Sequence, residues 1–337
     1  MADALPPDDQ RRLAESFVRF ADRECGAYAP AYDRLARIVA RVPDLLAIAE
    51  TVPAGRAVPN TFLGAAHLLF GAEMAAFSES EFIAACLCEE PRLRALCATK
   101  LVQTNEVRRS SALLPGVSFI ADRFAGPLAL IEPGASAGLL LRFDRYRIDY
   151  GGADCSGPSD ALVSFACEVR GIPPPIAWDP VRLVRRMGID LQPVRPDDAE
   201  AVAWLRALVW PDHPERRALL DRALADLALA PVEVVSGDAM DALVEVVQSL
   251  EPGVVPIVFH FAMLAHFTAE ARERFVALVE ALGGASREGL AWLRSEAVDG
   301  GARWLDLDLF LPGGRRDYVR LARIHPHGEW IEWLANA

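Results

Sequence analysis

"IEPGASAG", residues 131–138, fits two motifs that imply different folds. Gly134-Ala135-Ser136-Ala137-Gly138 matches the G-x-S-x-G turn of a serine hydrolase, in which Ser136 is the nucleophile. With Glu132 in front, the same residues match an acid followed by a glycine loop, an arrangement that holds a nucleotide cofactor at the end of a strand. The sequence on either side discriminates between them.

Upstream, apolar residues recur at helical spacing from Asp8 to about Leu114, in "FVRFADRE", "YDRLARIVARV", "TFLGAAHLLFGA" and "RLRALCATKLVQTNEVRRSSALL". Turn signals such as "VPAGRAVPN" and "CEEPRL" punctuate them. An all-helical N-terminal domain over residues 1–116 is therefore expected. It leaves no earlier strand to carry the oxyanion loop of a hydrolase, although Asp306, Asp308, His325 and His327 follow Ser136 in the chain order that a triad needs.

Downstream, "PLALIEPGASAG" reads as a strand ending in a glycine loop and "LLLRFDRYR" as a helix. "YRIDYGG" and "ALVSFACEVRG" alternate like strands and predict a hairpin inserted at about 146–176. The alternation then resumes: "RRMGIDLQPV" as strand, one or two helices broken at Pro211, "VEVVSGDAMDAL" as strand, loop and helix, "VVPIVFHFAML" as a buried strand, and "TAEARERFVALVEALGG" as a capped helix. "LAWLRSEAV" and two or three strands around a "PGG" turn close the chain, an antiparallel finish on a parallel sheet. The fold expected is α/β, with a Rossmann-like domain over residues 117–337.

Bulk properties narrow the function. The 35 basic and 47 acidic residues give a net charge of -12, which repels nucleic acid and anionic lipid headgroups. No 18-residue uncharged run and no apolar leader are found, and the six cysteines form no C-x-x-C pair, so a reduced, cytoplasmic chain is expected. The pair His325-x-His327 lacks matching ligand spacing for a metal. The single lysine, Lys100, lies in no glycine-rich phosphate loop, which argues against kinase or ATPase chemistry. Leu139 occupies the sixth position of the loop, where the dinucleotide fingerprint asks for glycine, and NAD is disfavoured. A nucleotide-binding sheet also calls for an acid after the second strand, because a carboxylate accepts two hydrogen bonds from a ribose diol, and Asp190 stands there. Asp238 follows the third strand, where a polar group would meet the base.

At this point two resemblances emerge. "IEPGASAG", "GIDLQP", "SGDAMDAL" and "IVFHFAML" resemble the first four sheet motifs of class I S-adenosylmethionine-dependent methyltransferases, over about residues 118–334, with Ser136 in place of a middle glycine. "LVQTNEVRRSSALLPG", "EPGASAGLLLRFDRYRIDYGG" and "WLRALVWPDHPERRALL" resemble an uncharacterised bacterial family, a domain of unknown function, from about residue 10 to 334. The methyltransferase resemblance implies a seven-stranded sheet with an antiparallel final hairpin and S-adenosylmethionine as cofactor. By it, Glu132 faces the methionine end, Gly134, Ser136 and Gly138 line the loop, Asp190 binds the ribose, and Asp238 with Ala239 meets the adenine. Two departures stand out. Asp190 lies 52 residues beyond Gly138, against roughly 20 in a compact unit. The fourth strand ends in Phe259, His260 and Phe261 rather than the Asn/Asp-Pro-Pro-Tyr of amino-group methylating enzymes.

Methyl transfer asks the protein to align two partners and remove one proton. His260, at the end of the fourth strand, is the candidate base, against the alternative of a hydrogen-bonded histidine at a strand end. In "QTNEVRR", Glu106 is a second catalytic candidate, and Asn105 and Arg109 are expected to reach over the sheet's carboxyl edge to substrate, or else to form a solvated face. Tyr146 and Trp210 complete the substrate-binding set; core packing is the alternative for the tryptophan. The function expected is a methyltransferase acting on a small molecule. The alternatives are a non-catalytic relative that binds a nucleotide-like ligand or a protein, and a serine hydrolase using Ser136.

Overall fold

Proline stands in the first turn of most helices of the N-terminal segment, where its missing N–H costs nothing and its fixed φ suits the helix. The helices are α1 (Pro7–Phe20), α2 (Pro30–Arg41), α3 (Pro43–Ala49), α4 (Val58–Phe70), α5 (Glu79–Cys88) and α6 (Glu90–Thr99). The structure is a computed structural model that describes residues 7–151, 155–177, 182–297 and 301–335. The chain forms two compact units, one running to Thr104 and taking in Asp198–Ala218, the other made of Asn105–Asp197 and Leu219–Ala337.

The first unit is helical. Its core gathers Phe17, Tyr32, Leu35, Leu45, Phe62 and Phe82, all fully buried, and it draws in α8 (Ala199–Ala207) after α7 (Ser110–Ala121) has entered the second unit. Gly64 on α4 lets Trp204 and Leu208 come close: a Cβ there would lie 3.1 Å from Leu208 and 3.2 Å from Trp204. Trp210 stacks on Tyr32 with ring centroids 5.3 Å apart.

The units therefore part at Thr104, not at residue 116, and the reason lies in α7. "Pro-Gly" at 115–116 reads as a turn, yet the helix runs through it. Proline cannot donate to the carbonyl four residues back, and the Tyr150 hydroxyl donates to that carbonyl, on Ser111, at 2.8 Å instead. Gly116 meanwhile admits Leu293, whose side chain would lie 2.7 Å from a Cβ. Every residue of α7 is buried, so tertiary packing overrides local propensity.

The second unit is built on one sheet. Its strands are β1 (Leu128–Pro133), β2 (Arg147–Asp149), β3 (Cys155–Ser156), β4 (Ser164–Ala166), β5 (Glu168–Gly171), β6 (Leu183–Asp190), β7 (Glu233–Ser236), β8 (Val255–Phe261), β9 (Leu290–Ala297), β10 (Arg303–Phe310), β11 (Arg316–Ile324) and β12 (Trp330–Trp333). The order is β5-β12-β11-β10-β9-β8-β1-β6-β7, nine strands rather than the seven expected. From β7 to β9 neighbours run parallel; β9 to β12 form an antiparallel meander. All six residues of β1 are buried, as a central parallel strand covered on both faces requires. Helices α9 (Pro214–Leu229), α10 (Ala239–Gln248) and α11 (Ala269–Ala285) complete the chain, and α10 and α11 pack on one face through Leu243, Val246, Phe275 and Val279.

Two local expectations are corrected. The segment at 146–176 is no hairpin of its two alternating runs: β2 pairs antiparallel with β3 and parallel with β4, while β5 leaves to extend the main sheet beside β12. Alternation reports a half-buried strand but not its partner. Residues 152–154 of this segment lie outside the described residues. "LLLRFDR" is a 3-10 segment, Leu139–Arg145, held by the buried Tyr146 hydroxyl, which donates to the Leu139 carbonyl at 2.7 Å.

Gly188 on β6 faces the loop after β1, and a Cβ would lie 2.6 Å from that of Ala135. Gly188→Ala is expected to lower the unfolding free energy by about 1–3 kcal/mol in denaturant titrations. Gly284, exposed on α11 with nothing within 4 Å, gives the opposite sign: its replacement by alanine adds about 0.5–1 kcal/mol.

Candidate functional site

Strand order reverses at β1, with β6 on one side and β8 on the other. The loops after β1 and β8 consequently diverge, and such a switch point at the carboxyl edge is where doubly wound sheets bind ligands. Among the described residues, two non-glycine positions have positive φ, Ser136 at 54° and Ala262 at 62°. They lie in these two loops. Backbone held in the left-handed region by its surroundings clusters at functional sites.

The loop after β1 is tied to β6. Gly134 and Ala135 donate to the Ile189 carbonyl at 2.7 and 3.1 Å, and the Ser136 N–H donates to Asp190 Oδ2 at 2.7 Å. Gly138 donates to the Ala135 carbonyl at 2.7 Å, and Leu139 to Asn105 Oδ1 at 3.2 Å. These amides are spent on protein acceptors, so the loop is no phosphate cradle. What stands beside these amides is carboxylate. Asp190 accepts from the Gln192 N–H through its other oxygen at 2.9 Å. Glu132, only 3% exposed, has one oxygen, Oε2, that is buried without a hydrogen-bond partner among the described residues. Burial, reinforced by the neighbouring Asp190 charge and opposed by Arg109, holds the Glu132 carboxyl well above the ordinary glutamate range.

"QTNEVRR" does reach the carboxyl edge. Besides the Asn105 bond, Arg109 donates from Nε to the Pro326 carbonyl at 3.1 Å and from Nη1 to the Phe261 carbonyl at 3.4 Å. It thereby joins the end of β8 to the loop between β11 and β12. Glu106 Oε1 accepts from the Arg108 N–H at 3.3 Å, and its Oε2 lies 3.7 Å from His327 Nδ1. Asn105, Glu106, Arg109, Glu132, Ser136 and Asp190 are all buried polar residues of this one region.

Other expected site residues lie elsewhere. His260 is fully buried against Phe275 and Trp292, and both ring nitrogens are engaged. Trp292 Nε1 can only donate, so His260 Nε2 is the acceptor of that 3.1 Å bond, and Nδ1 carries the proton that faces Glu296 Oε1 at 2.8 Å. Both nitrogens are thus held by protein partners, the hydrogen-bonded histidine that was the alternative to a base role. Asp238 is exposed and caps α10 by accepting from the Met240 N–H at 2.8 Å, with Ala239 as the first helical residue. Tyr146 is fully buried and its hydroxyl donates to the Leu139 carbonyl in the loop's own support. Trp210 belongs to the helical unit, where it packs with Phe20, Tyr28 and Tyr32.

Sequence inspection missed Ala262 and Met263, and it weighed His327 only as a triad or metal candidate, not beside Glu106. Met263 packs on the bare face of Gly134, its Cγ 3.0 Å from where a Cβ would sit. His327 follows Pro326, whose partner Arg109 is 217 residues away, a spacing that no local pattern reports. No cluster of His, Cys, Asp and Glu suited to a metal occurs among the described residues, and none of their helices is long and apolar enough to cross a membrane.

The raised Glu132 carboxyl has a stability consequence. The folded chain holds this proton more tightly than the unfolded chain, so stability is lost as pH rises from the ordinary value of 4.5 through the folded one. Glu132→Gln removes that loss. Its melting temperature is expected to gain on wild type as pH increases, and a difference that stays constant with pH would contradict the assignment.

No curated protein matches the chain. The family model described as "Uncharacterized protein conserved in bacteria (DUF2332)" matches residues 14–333, and the chain belongs to that family.

Proposed function

We propose that this protein is an S-adenosylmethionine-dependent methyltransferase acting on a small molecule. The observation that carries this is the pair of acids at the switch point, Glu132 with a buried unpartnered oxygen and Asp190 beside it at the head of a glycine loop. That donor set fits the cofactor, which bears a sulfonium, an ammonium and a ribose diol. When bound, the cofactor supplies an electrophilic methyl group.

The chain's own residues divide the remaining work. Glu132 offers its free oxygen to positive charge. Asp190, at the end of β6, is the carboxylate that would accept from ribose hydroxyls, since each carboxylate oxygen can accept more than one bond. Leu191, next in sequence and 62% exposed, gives a planar base an apolar surface. Arg109 fixes the geometry by clamping Phe261 and Pro326. Glu106 and His327 form the group suited to taking a proton from the acceptor molecule, with the carboxylate stabilising the imidazolium. This moves the base role from His260 to a histidine on the last strand connection.

The non-catalytic alternative draws support from Met263, which fills the face of Gly134 where a cofactor would approach. The hydrolase alternative is weaker. Ser136 shares the positive φ of a nucleophile elbow, but it is buried and is followed by a 3-10 segment, whereas an elbow exposes its hydroxyl between strand and helix.

Calorimetric titration with S-adenosylmethionine and S-adenosylhomocysteine is expected to show saturable binding, weakened about tenfold or more in Asp190→Ala because a charge-assisted bond is lost. Absence of binding by the intact protein would sink the methyltransferase proposal. For Ser136, replacement by glycine relieves the left-handed strain and is expected to leave folding and binding intact, whereas Ser136→Val disrupts the loop. Labelling of wild type by a fluorophosphonate, lost in Ser136→Gly, would favour the hydrolase instead.

A further inference from the structure

We propose that Glu132 senses ligand charge at this site, ionising when a ligand with a fixed positive charge binds and regaining its proton when the ligand is the neutral thioether product. The proposal rests on the methyltransferase reading above and adds to it a means of telling cofactor from product.

The geometry is specific. Glu132 is the penultimate residue of β1, the strand from which the loop springs, and its Oε2 is buried with no hydrogen-bond partner among the described residues. The charged and titratable groups facing it are Asp190 from the end of β6, Arg109 from the segment before α7, and the Tyr146 phenol from the turn after the loop. Asp190 adds negative charge. Arg109 is the one cation named among these, and its guanidinium already serves the carbonyls of Phe261 and Pro326. The Tyr146 hydroxyl donates a hydrogen bond to the Leu139 carbonyl, and burial pushes its ionisation far up, so it stays neutral. Burial and Asp190 together favour the protonated carboxyl. A sulfonium at the free oxygen reverses that preference, because a buried opposite charge compensates the cost of ionisation.

Linkage makes the effect reciprocal: a ligand whose binding expels a proton binds more tightly as pH rises. The proton passes from the Glu132 carboxyl to solvent, and no bond other than this O–H changes. Once the methyl group has left, the thioether is neutral, Glu132 loses its counter-charge, and the hold on the product weakens. The site thus favours cofactor over product by charge, and more strongly at higher pH.

Titration calorimetry tests this with S-adenosylmethionine and S-adenosylhomocysteine, in two buffers of different ionisation heat, on wild type and Glu132→Gln. Above the ordinary glutamate value of 4.5 and below the raised value of the free protein, wild type is expected to release up to one proton per S-adenosylmethionine bound, with affinity rising by up to about tenfold per pH unit. S-adenosylhomocysteine should show no such slope, and Glu132→Gln should be flat for both. The proposal is overturned if S-adenosylmethionine binds without proton release, if both ligands share the slope, or if the slope survives in the glutamine variant. Failure of both ligands to bind at any pH removes the methyltransferase reading itself, a separate outcome. Should the variant not fold, the proton count on wild type still decides.

Discussion

Asp190 ties together the parts on which the second unit's carboxyl edge depends. One carboxylate oxygen accepts from Ser136, the other from Gln192, and its backbone carbonyl accepts from Gly237 at 3.0 Å. Three segments, the loop after β1, the chain leaving β6 and the chain leaving β7, are thereby fixed to a single residue. The Ser136 bond also explains why a serine tolerates a left-handed φ there. A charge-assisted bond to a buried carboxylate outweighs the roughly 1 kcal/mol that the conformation costs.

A second set of buried polar contacts closes the same edge from the other side. Arg109 clamps Phe261 and Pro326, Ser111 donates to the Gly328 carbonyl at 3.2 Å, and the Tyr150 hydroxyl substitutes for the amide that Pro115 lacks. Gly328 has to be glycine, since a Cβ would lie 2.1 Å from the Arg108 carbonyl. The turn carrying His327 is therefore held against the segment carrying Glu106, and their 3.7 Å separation follows from this packing. Groups buried without full satisfaction are costly to keep. Glu132 is the one such group at the head of the glycine loop, which is why the functional proposal is centred on it.

How much of this was legible in the sequence depends on the range of the forces involved. β1 and β8 announce themselves as apolar runs because a parallel strand covered on both faces demands them, and Glu132 and Asp190 are legible because each stands at the carboxyl end of a strand, β1 and β6. Pairing and environment are set at long range and were not. The inserted segment looked like a hairpin because alternation carries no information on which strand lies opposite. His260 looked available because Glu296 and Trp292, which occupy its two nitrogens, lie 36 and 32 residues away on the next strand. Pro115 looked like a boundary because the hydroxyl that rescues its helix comes from Tyr150, and nothing near His327 in sequence predicts that it stands 3.7 Å from Glu106.

The central claim is that the carboxyl edge between β1, β6 and β8 is a binding site for S-adenosylmethionine and its product. The most direct measurement is amide NMR of the labelled protein titrated with S-adenosylhomocysteine. The account predicts shifts concentrated at Gly134, Ser136, Gly138, Gln192 and Gly237, the amides of the loops that Glu132 and Asp190 organise. Shifts confined to other regions, or none at saturating ligand, would contradict it.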